Sequence, residues 1–315
     1  MDDFKSVSLE LRSLLERSIH KYPAEGILLS GGLDTSIIAL LASKHLKKAF
    51  TVTLEGWNRD LKYAEMVAEF LDLDLEVYYF SEEEMIDAVT ESIRILRTYI
   101  DYEIRSAVPV LIAMKLAKRY VGSVYVGEGA DELFFGYGPI ADMVNSIVMA
   151  EDDYYDGGFF TSNFEKDFQI EFLSNLFFDL GGYFGYPHKL GRGTNIRVHL
   201  PYMDAEVIRY ALKIPLEYKV KSKDGKIWGK WILRKTFEGD LPEEIIWRDK
   251  TPIDVGTGSI KLKEILKERM TEEELEEKKM IYRSKGIKID NEEQLFYYER
   301  YRSDRGALKA DPEDV

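Results

Sequence analysis

The chain has 315 residues, 45% of them hydrophobic, and a formal net charge of −14 at pH 7. This length and composition predict a soluble globular protein of one large domain or two smaller ones. The negative charge disfavours large-scale nucleic-acid binding, because phosphate contacts need clustered lysines and arginines. No apolar run reaches the roughly 18 residues of a membrane span, and the acidic start is unlike a secretory leader. We therefore expect a cytoplasmic protein that binds neither nucleic acid nor membrane.

The chain contains no cysteine. Disulfides, cysteine-ligated metal sites and every thiolate mechanism are therefore excluded, including sulfur transfer and glutamine hydrolysis by a cysteine nucleophile. Only two glutamines occur, Gln169 and Gln294, beside many charged residues. Few thermolabile residues and many charges are typical of proteins from thermophiles.

Helix and strand patterns alternate in the first part of the chain. In chain order they predict a helix at 4–22, a strand at 27–29, a helix from 37, a strand at 49–54, a helix at 61–71, a strand at 75–80, helices to 96 and at 104–119, and a strand at 123–126. Ser81, with Glu84 as its capping-box partner, begins the helix that ends near residue 96. This alternation predicts an α/β fold, in which helices cover both faces of a parallel sheet and ligands bind at the carboxyl ends of its strands.

The strand pattern fades after about residue 140. Five glycines between residues 181 and 193 predict a mobile loop, residues 272–279 a solvated helix face, and the polar residues from 303 a flexible tail. We therefore expect an α/β core at 1–140, a mainly helical part at 141–302 that completes the substrate site, and a tail at 303–315.

Residues 30–36, which we name the glycine loop, read Ser-Gly-Gly-Leu-Asp-Thr-Ser between a strand and a helix. Gly31 and Gly32 permit positive φ and close approach to a ligand, while free N–H groups and the helix dipole attract phosphate. Asp34 would repel phosphate unless a cation lay between them, so we predict that it binds Mg²⁺. The alternative is an ordinary turn with Asp34 as the helix N-cap. Hydroxyl donors in the loop are Ser30, Thr35 and Ser36.

Residues 126–137, which we name the acidic segment, read Val-Gly-Glu-Gly-Ala-Asp-Glu-Leu-Phe-Phe-Gly-Tyr and follow the fourth predicted strand. Parallel strands end at the same edge of a sheet, so this segment should face the glycine loop. Asp131 and Asp34 could then share Mg²⁺, leaving Glu128 as a base or substrate anchor. The alternative is an acidic helix start that the helix dipole favours.

The glycine loop resembles the pyrophosphate-binding loop of the N-type ATP pyrophosphatases. A Walker loop fits poorly, because no Gly-Lys-Ser/Thr follows the glycines. Together the two segments resemble the synthetase domain of asparagine synthetases and the related β-lactam synthetases, and the resemblance covers roughly residues 10 to 270. Further matching segments lie at 50–56, 60–62, 195–204, 231–235, 241–242 and 247–250.

The resemblance implies an enzyme that uses ATP and Mg²⁺, cleaves ATP between its α and β phosphates and forms an acyl-adenylate. The implied adenosine contacts are Leu28, Val52, Val126 and Gly127. The implied pyrophosphate contacts are Ser30, Gly31, Gly32, Thr35 and Ser36. The implied magnesium ligands are Asp34 and Asp131. The expected catalytic residues are Glu128, Lys250, which would stabilise charge on the α-phosphate, and Tyr102. The expected substrate contacts are Arg105, Glu132, Lys189 and Arg197.

Two departures from the asparagine synthetase pattern concern the substrate. Tyr102 and Arg105 lie where that pattern has Thr-Thr-Ile-Arg; the arginine suits a carboxylate. Tyr102 could pair with Glu128 as the Tyr-Glu pair of β-lactam synthetases does to deprotonate an amine, or it could simply pack. Residues 197–199 read Arg-Val-His where the pattern has Glu-x-Arg. This reversal of charge leaves open a substrate other than aspartate.

We therefore expect an AMP-forming amide ligase, with aspartate and free ammonia as the first candidate substrates. Another carboxylate and amine, including an intramolecular pair, is one alternative. A synthetase subunit that works with a separate glutaminase is another, since the glutaminase domain usual in asparagine synthetases does not precede the glycine loop here. A homodimer is left open. A catalytically silent paralogue is disfavoured, because Asp34, Glu128, Asp131 and Lys250 are all present.

Overall fold

A computed structural model describes residues 3–153, 164–179 and 185–308. Within them, five strands form one sheet in the order β3-β2-β1-β4-β5, and all four pairings are parallel. The predicted α/β fold with a parallel sheet is therefore confirmed. The strands are β1 (Gly26–Leu28), β2 (Lys48–Leu54), β3 (Leu75–Phe80), β4 (Ser123–Tyr125) and β5 (Arg197–His199).

The helices alternate with the strands as far as β4 and then dominate the described residues. Up to the acidic segment they are α1 (Phe4–Lys21), α2 (Leu33–Ala42), α3 (Leu61–Phe70), α4 (Glu82–Leu96), α5 (Asp101–Ala117) and α6 (Ala130–Phe134). After it come α7 (Gly138–Asp153), α8 (Phe164–Asp179), α9 (Tyr186–Thr194), α10 (Ala205–Ala211), α11 (Leu216–Lys219), α12 (Trp231–Thr236), α13 (Glu243–Ile246), α14 (Ile253–Thr257), α15 (Leu262–Glu268), α16 (Glu272–Arg283) and α17 (Glu292–Leu308). Strands β6 (Lys221–Lys223) and β7 (Lys226–Trp228) form a separate antiparallel hairpin.

Apolar side chains on both faces of the sheet hold it between two layers of helices. One core contains Ile27 of β1 together with the buried stripe of α1, while the other contains the adjacent Leu28 with α4 and α5. Successive strand residues point to opposite faces, so a continuous apolar strand covered on both sides is what this sheet requires. The predicted capping box of α4 is confirmed, because Ser81 and Glu84 exchange side-chain and backbone hydrogen bonds.

The prediction of a mobile loop at 181–193 is wrong for residues 186–193, which belong to α9. Its glycines are packing positions. A Cβ on Gly191 would lie 2.6 Å from Val198 Cγ2, and one on Gly193 would lie 2.5 Å from Ile95 Cδ1. The absent side chains therefore let α9 pack closely against β5 and α4. Residues 181–184 of the predicted loop lie outside the described residues.

Two other features differ from expectation. Strand β5 comes from the part after residue 140 but pairs with β4, so a division at 140 does not separate the sheet. Residues 303–308, predicted as part of the tail, continue helix α17, while 309–315 lie outside the described residues, so the flexibility of the tail stays a prediction. No helix in the described part of the chain is both long and apolar enough to cross a membrane.

Candidate active site

The glycine loop joins β1 to α2 at the carboxyl end of the sheet. Gly31 has φ +65°, and a Cβ there would lie 2.3 Å from the backbone nitrogen of Ala64, so only glycine fits. The N-cap of α2 is Gly32, whose N–H donates to Ser30 Oγ at 3.2 Å. Asp34 is the second residue of the helix, within its first turn, and does not cap it, so the simple capping alternative is wrong.

Asp34 and Asp131 approach one another at this edge, as the two motifs predict. The ammonium of Lys230 lies between them, 2.6 Å from Asp34 Oδ2 and 2.7 Å from Asp131 Oδ1. The other oxygen of Asp34, Oδ1, is buried and accepts no hydrogen bond from the described residues. The hydroxyl of buried Tyr202 donates to the Asp34 carbonyl at 3.2 Å, so the turn after β5 also supports the loop.

A second ammonium, that of Lys250, contacts the same cluster. Lys250 Nζ donates to Asp131 Oδ2 at 2.6 Å, and its side chain is 38% exposed. Burial pushes the pKa of Asp131 upward, but the charges of Lys230 and Lys250 outweigh burial and hold that pKa well below its usual range. Burial alone would lower the pKa of Lys250, but the negative charges of Asp131 and Asp34 outweigh burial and raise that pKa above its usual value. Both groups are therefore charged at neutral pH.

Arg234 holds the two lysine-bearing segments together. Its Nε donates to the Gly229 carbonyl at 3.1 Å, and its guanidinium also donates to the carbonyls of Ile246 and Arg248. Burial lowers the pKa of Arg234 to about 10, which still leaves it charged at neutral pH. Arg234 therefore fixes the turn before α12 relative to the segment that carries Lys250.

The segment after β2 is fixed to the same region. Asp60 forms a buried ion pair with Arg248, and the indole of Trp57 donates to the Val255 carbonyl at 2.9 Å. The residues expected to surround adenosine lie at the carboxyl ends of β1, β2 and β4: Leu28, Val52, Val126 and Gly127. A Cβ on Gly127 would lie 3.0 Å from Thr35 Cγ2, which keeps this position small.

The tyrosine partner of Glu128 in this structure is Tyr186, from the start of α9, whose hydroxyl donates to Glu128 Oε1. Burial raises the pKa of Glu128. Tyr102, the partner suggested by the sequence, begins α5 and is 41% exposed. Glu132 accepts hydrogen bonds from the Gly129 N–H at 3.1 Å and the Tyr137 hydroxyl at 2.5 Å, so it stabilises the acidic segment itself.

Arg105 does not lie open to a substrate, contrary to expectation. Its buried guanidinium contacts Asp254 at 3.1 Å, Asp101 at 3.5 Å and also Glu293. Three carboxylates therefore already surround this cation, which ties α5 to α14 and α17. These contacts indicate a structural role for Arg105, and its predicted substrate role stays a prediction.

Arg197 lies apart from the carboxylate cluster. Arg197 begins β5 opposite Ser123, the first residue of β4, and is therefore at the amino edge of the sheet. Its charge acts on Glu25, which precedes β1. The reversal of charge at Arg197 consequently does not report on a pocket at the carboxyl edge. Lys189 is exposed on α9, where its charge acts on Glu103.

Sequence reasoning missed Lys230, Tyr186, Arg234 and Arg248. Arg234 lies inside the segment 231–235 that matches the family, and Arg248 lies in the matching segment 247–250. Those matches could have indicated that both arginines belong to the site. Lys230 immediately precedes the first of these segments, and Tyr186 is one of 20 tyrosines. Only the folded chain brings these two side chains to the acidic segment.

Fold and site together define a class: a parallel α/β protein with an anion-binding loop and a charged cluster at the carboxyl edge of its sheet. The chain belongs to the asparagine synthase family, whose sequence profile matches residues 10–156 and 189–304. This confirms the resemblance predicted from the motifs.

Individual relatives extend the comparison. An asparagine synthetase [glutamine-hydrolyzing] of Zea mays is 30% identical over 273 residues, covering 80% of this chain and 43% of that protein. Asparagine synthetase [glutamine-hydrolyzing] 1 of Arabidopsis thaliana is 30% identical over 255 residues, covering 74% and 39%. The chain thus spans about two-fifths of the length of these curated relatives. Among solved structures, NMN synthetase from Francisella tularensis aligns over 97% of both chains, with 16% identity and a TM-score of 0.37.

Proposed function

We propose that the chain is an AMP-forming amide ligase that adenylates a carboxylate for attack by ammonia, with aspartate as the first carboxylate. The observation that carries the proposal is the meeting of the glycine loop with Asp131 and Lys250 at one edge of the sheet. Its support from the family is direct, since the relatives in Zea mays and Arabidopsis thaliana are named asparagine synthetases.

The chain's own groups suit the charges of such a reaction. Loop N–H groups and the hydroxyls of Ser30 and Thr35 would bind the departing pyrophosphate. Lys250 is charged and partly exposed, so its ammonium can stabilise negative charge that develops on the α-phosphate. A preorganised group of this kind typically contributes on the order of 10²- to 10³-fold in rate.

The donors at this edge fit a magnesium ion. Asp34 and Asp131 supply two adjacent buried carboxylates, and Asp34 Oδ1 has no hydrogen-bond donor among the described residues. Mg²⁺ is commonly held by one or two carboxylates together with substrate phosphates and water. We propose that Asp34 and Asp131 hold it, and that it neutralises charge on the pyrophosphate leaving group.

The absence of cysteine from these residues limits the possible source of nitrogen. No cysteine is present in these 315 residues, so this chain has no thiol with which to hydrolyse glutamine. We propose that ammonia reaches the acyl-adenylate from a source other than these residues, such as solution or a glutaminase.

The hydrogen bond between Tyr186 and Glu128 favours a second candidate, in which the nucleophile is an amine that must lose a proton. Burial raises the pKa of Glu128 and so makes this carboxylate a stronger base than an exposed one. Tyr186 would orient the carboxylate, and Glu128 would accept the proton. A larger amine, including one within the same substrate, is therefore compatible with this site.

A screen for pyrophosphate release tests the carboxylate. Purified protein is incubated with ATP, Mg²⁺ and ammonium, and aspartate is compared with dicarboxylates and with amino acids of other lengths. We expect aspartate to give the fastest release. The Lys250→Met variant should be about 10²-fold slower, whereas Lys226→Met, a lysine exposed on the hairpin, should be unchanged. Release with no carboxylate faster than the ATP-only background would contradict the proposal.

A further inference from the structure

Lys230 contacts both site carboxylates, Asp34 and Asp131, and is more enclosed than Lys250, which contacts Asp131. Its side chain is 4% exposed, compared with 38% for Lys250. The residue has a left-handed backbone, φ 57° and ψ 28°, and its N–H donates to the Phe134 carbonyl at 2.7 Å. A non-glycine residue in this region is uncommon. The turn before α12 therefore directs the lysine into the carboxylate cluster despite a backbone cost.

Two glycines provide the space for the Lys230 side chain and its turn. A Cβ on Gly136 would lie 2.0 Å from Asp131 Oδ1 and 2.1 Å from Lys230 Cε. A Cβ on Gly229 would lie 1.9 Å from the Phe135 carbonyl oxygen. Any larger residue at either place would displace the lysine or the acidic segment. The ammonium position is thus built by several elements packed together.

We propose that Lys230 is a resident counter-ion, whose ammonium occupies the space between Asp34 and Asp131 until Mg²⁺ arrives with the nucleotide. Without it, Asp34 would lose its ammonium contact, because Lys250 donates to Asp131 only on the far oxygen, Oδ2. Two neighbouring carboxylates in a buried site are costly unless a cation compensates them. This inference rests on the proposed use of Mg²⁺ and ATP.

The exchange also explains why the metal would enter together with phosphate. Mg²⁺ gives up its water reluctantly and gains its remaining ligands from substrate phosphates. Alone, it must displace an ammonium that already contacts both carboxylates. Mg²⁺ without nucleotide should therefore bind the wild-type protein weakly, and removal of the ammonium should make the same carboxylates a better metal site.

The test compares wild type with Lys230→Met in the full chain, with neither ATP nor substrate present. In EDTA, the melting temperature of the variant should fall by roughly 5 °C or more, as expected for an uncompensated buried charge. Excess Mg²⁺ should restore much of that loss in the variant and leave wild type unchanged. Calorimetric titration with Mg²⁺ alone should show at least roughly tenfold tighter binding to the variant. Lys226→Met should behave as wild type does.

Equal Mg²⁺ shifts and equal Mg²⁺ affinities in the two proteins would overturn the proposal. If Lys230→Met does not fold, the double variant Lys230→Met/Asp34→Asn tests whether an uncompensated charge is the cause, because removing one carboxylate removes that charge. Recovery of folding in this double variant supports the counter-ion, while its failure to recover assigns Lys230 a packing role and overturns it. All these measurements omit ATP, so their failure is distinct from failure of the proposed ligase reaction.

Discussion

At the scale of single residues, Asp131 is where the charges of the site converge. It contacts both Lys230 and Lys250, and their charges hold its pKa well below the usual range against the effect of burial. A carboxylate so strongly compensated stays ionised at neutral pH. Asp34, on the other side of Lys230, offers the second carboxylate.

We expect Asp131→Asn and Asp34→Asn each to slow turnover by about 10²-fold or more, because each removes a charge that would hold Mg²⁺. Exchange of labelled pyrophosphate into ATP measures the adenylation step. Asp249→Asn is the matched control, since Asp249 is exposed and pairs with the exposed Lys226. Exchange at the wild-type rate in both site variants would remove the magnesium assignment.

The two tyrosines considered for Glu128 can be separated by one substitution each. If Glu128 accepts a proton from the amine, Tyr186→Phe should slow amide formation by about 10²- to 10⁴-fold and leave pyrophosphate exchange nearly intact. Tyr102→Phe should have little effect on either step. A loss confined to Tyr102→Phe would restore the pairing suggested by the sequence, and wild-type rates in both variants would favour ammonia without a base.

Local sequence was sufficient to predict that Asp34 and Asp131 lie close together, because each lies in a recognisable segment directly after a strand. It was insufficient for Lys230 and Tyr186. Neither belongs to a distinctive pattern, and each reaches the acidic segment from a distant part of the chain, so their roles depend on tertiary packing. For Arg105 the local signal was clear but incomplete. A helix-start arginine suits a substrate carboxylate, but in the folded chain three protein carboxylates already contact it.

At the scale of elements, the Arg105 cluster joins α5, α14 and α17 around one buried guanidinium. We expect Arg105→Gln to lower the free energy of unfolding by about 3–5 kcal/mol, because it leaves buried carboxylates without their cation. Arg97→Gln, which breaks an exposed pair with Asp304, should cost about 1 kcal/mol or less. Urea denaturation measures both.

The same variant decides between the structural and the substrate role of Arg105. A properly folded Arg105→Gln protein with wild-type stability and a much raised KM for the carboxylate would show that the arginine binds substrate after all. A destabilised protein with unchanged KM would support the network seen here.

Elements were predictable where local pattern and packing agreed. Strand β3 and helix α4 have the predicted limits, and a capping box specifies the start of α4 locally. Strand β5 has only three residues and is defined by its pairing with β4, so no period could reveal it. Helix α9 was missed because glycine is a poor helix former, and its need for close packing is visible only against Ile95 and Val198.

At the scale of the whole molecule, two half-buried histidines make part of the stability depend on pH. Burial lowers the pKa of His45, whose Nε2 lies 3.2 Å from the Tyr125 hydroxyl, and burial also lowers that of His199. The unfolded chain therefore binds protons more readily at these positions than the folded one does. The stability that these two histidines contribute should be fully present above about pH 6.5, the ordinary histidine value, and should decrease as pH falls below it.

We expect His45 and His199 to lower the free energy of unfolding, measured by urea titration, between about pH 7.5 and about pH 5.5, one unit either side of the ordinary histidine pKa. Glu132 acts in the opposite direction, because burial raises its pKa to about 7. His45→Asn should make that decrease smaller, because the variant has one fewer group to protonate on unfolding. A pH dependence as steep in His45→Asn as in wild type would show that His45 does not contribute.

The parallel sheet brings the glycine loop, the acidic segment and Lys250 to one edge. We propose that ATP is cleaved there between its α and β phosphates. Phosphorus NMR of a reaction containing ATP, Mg²⁺, ammonium and the carboxylate that supports turnover tests the claim most directly. We expect AMP and pyrophosphate in equal amounts, formed together with the amide. Formation of ADP and inorganic phosphate with the amide would contradict it.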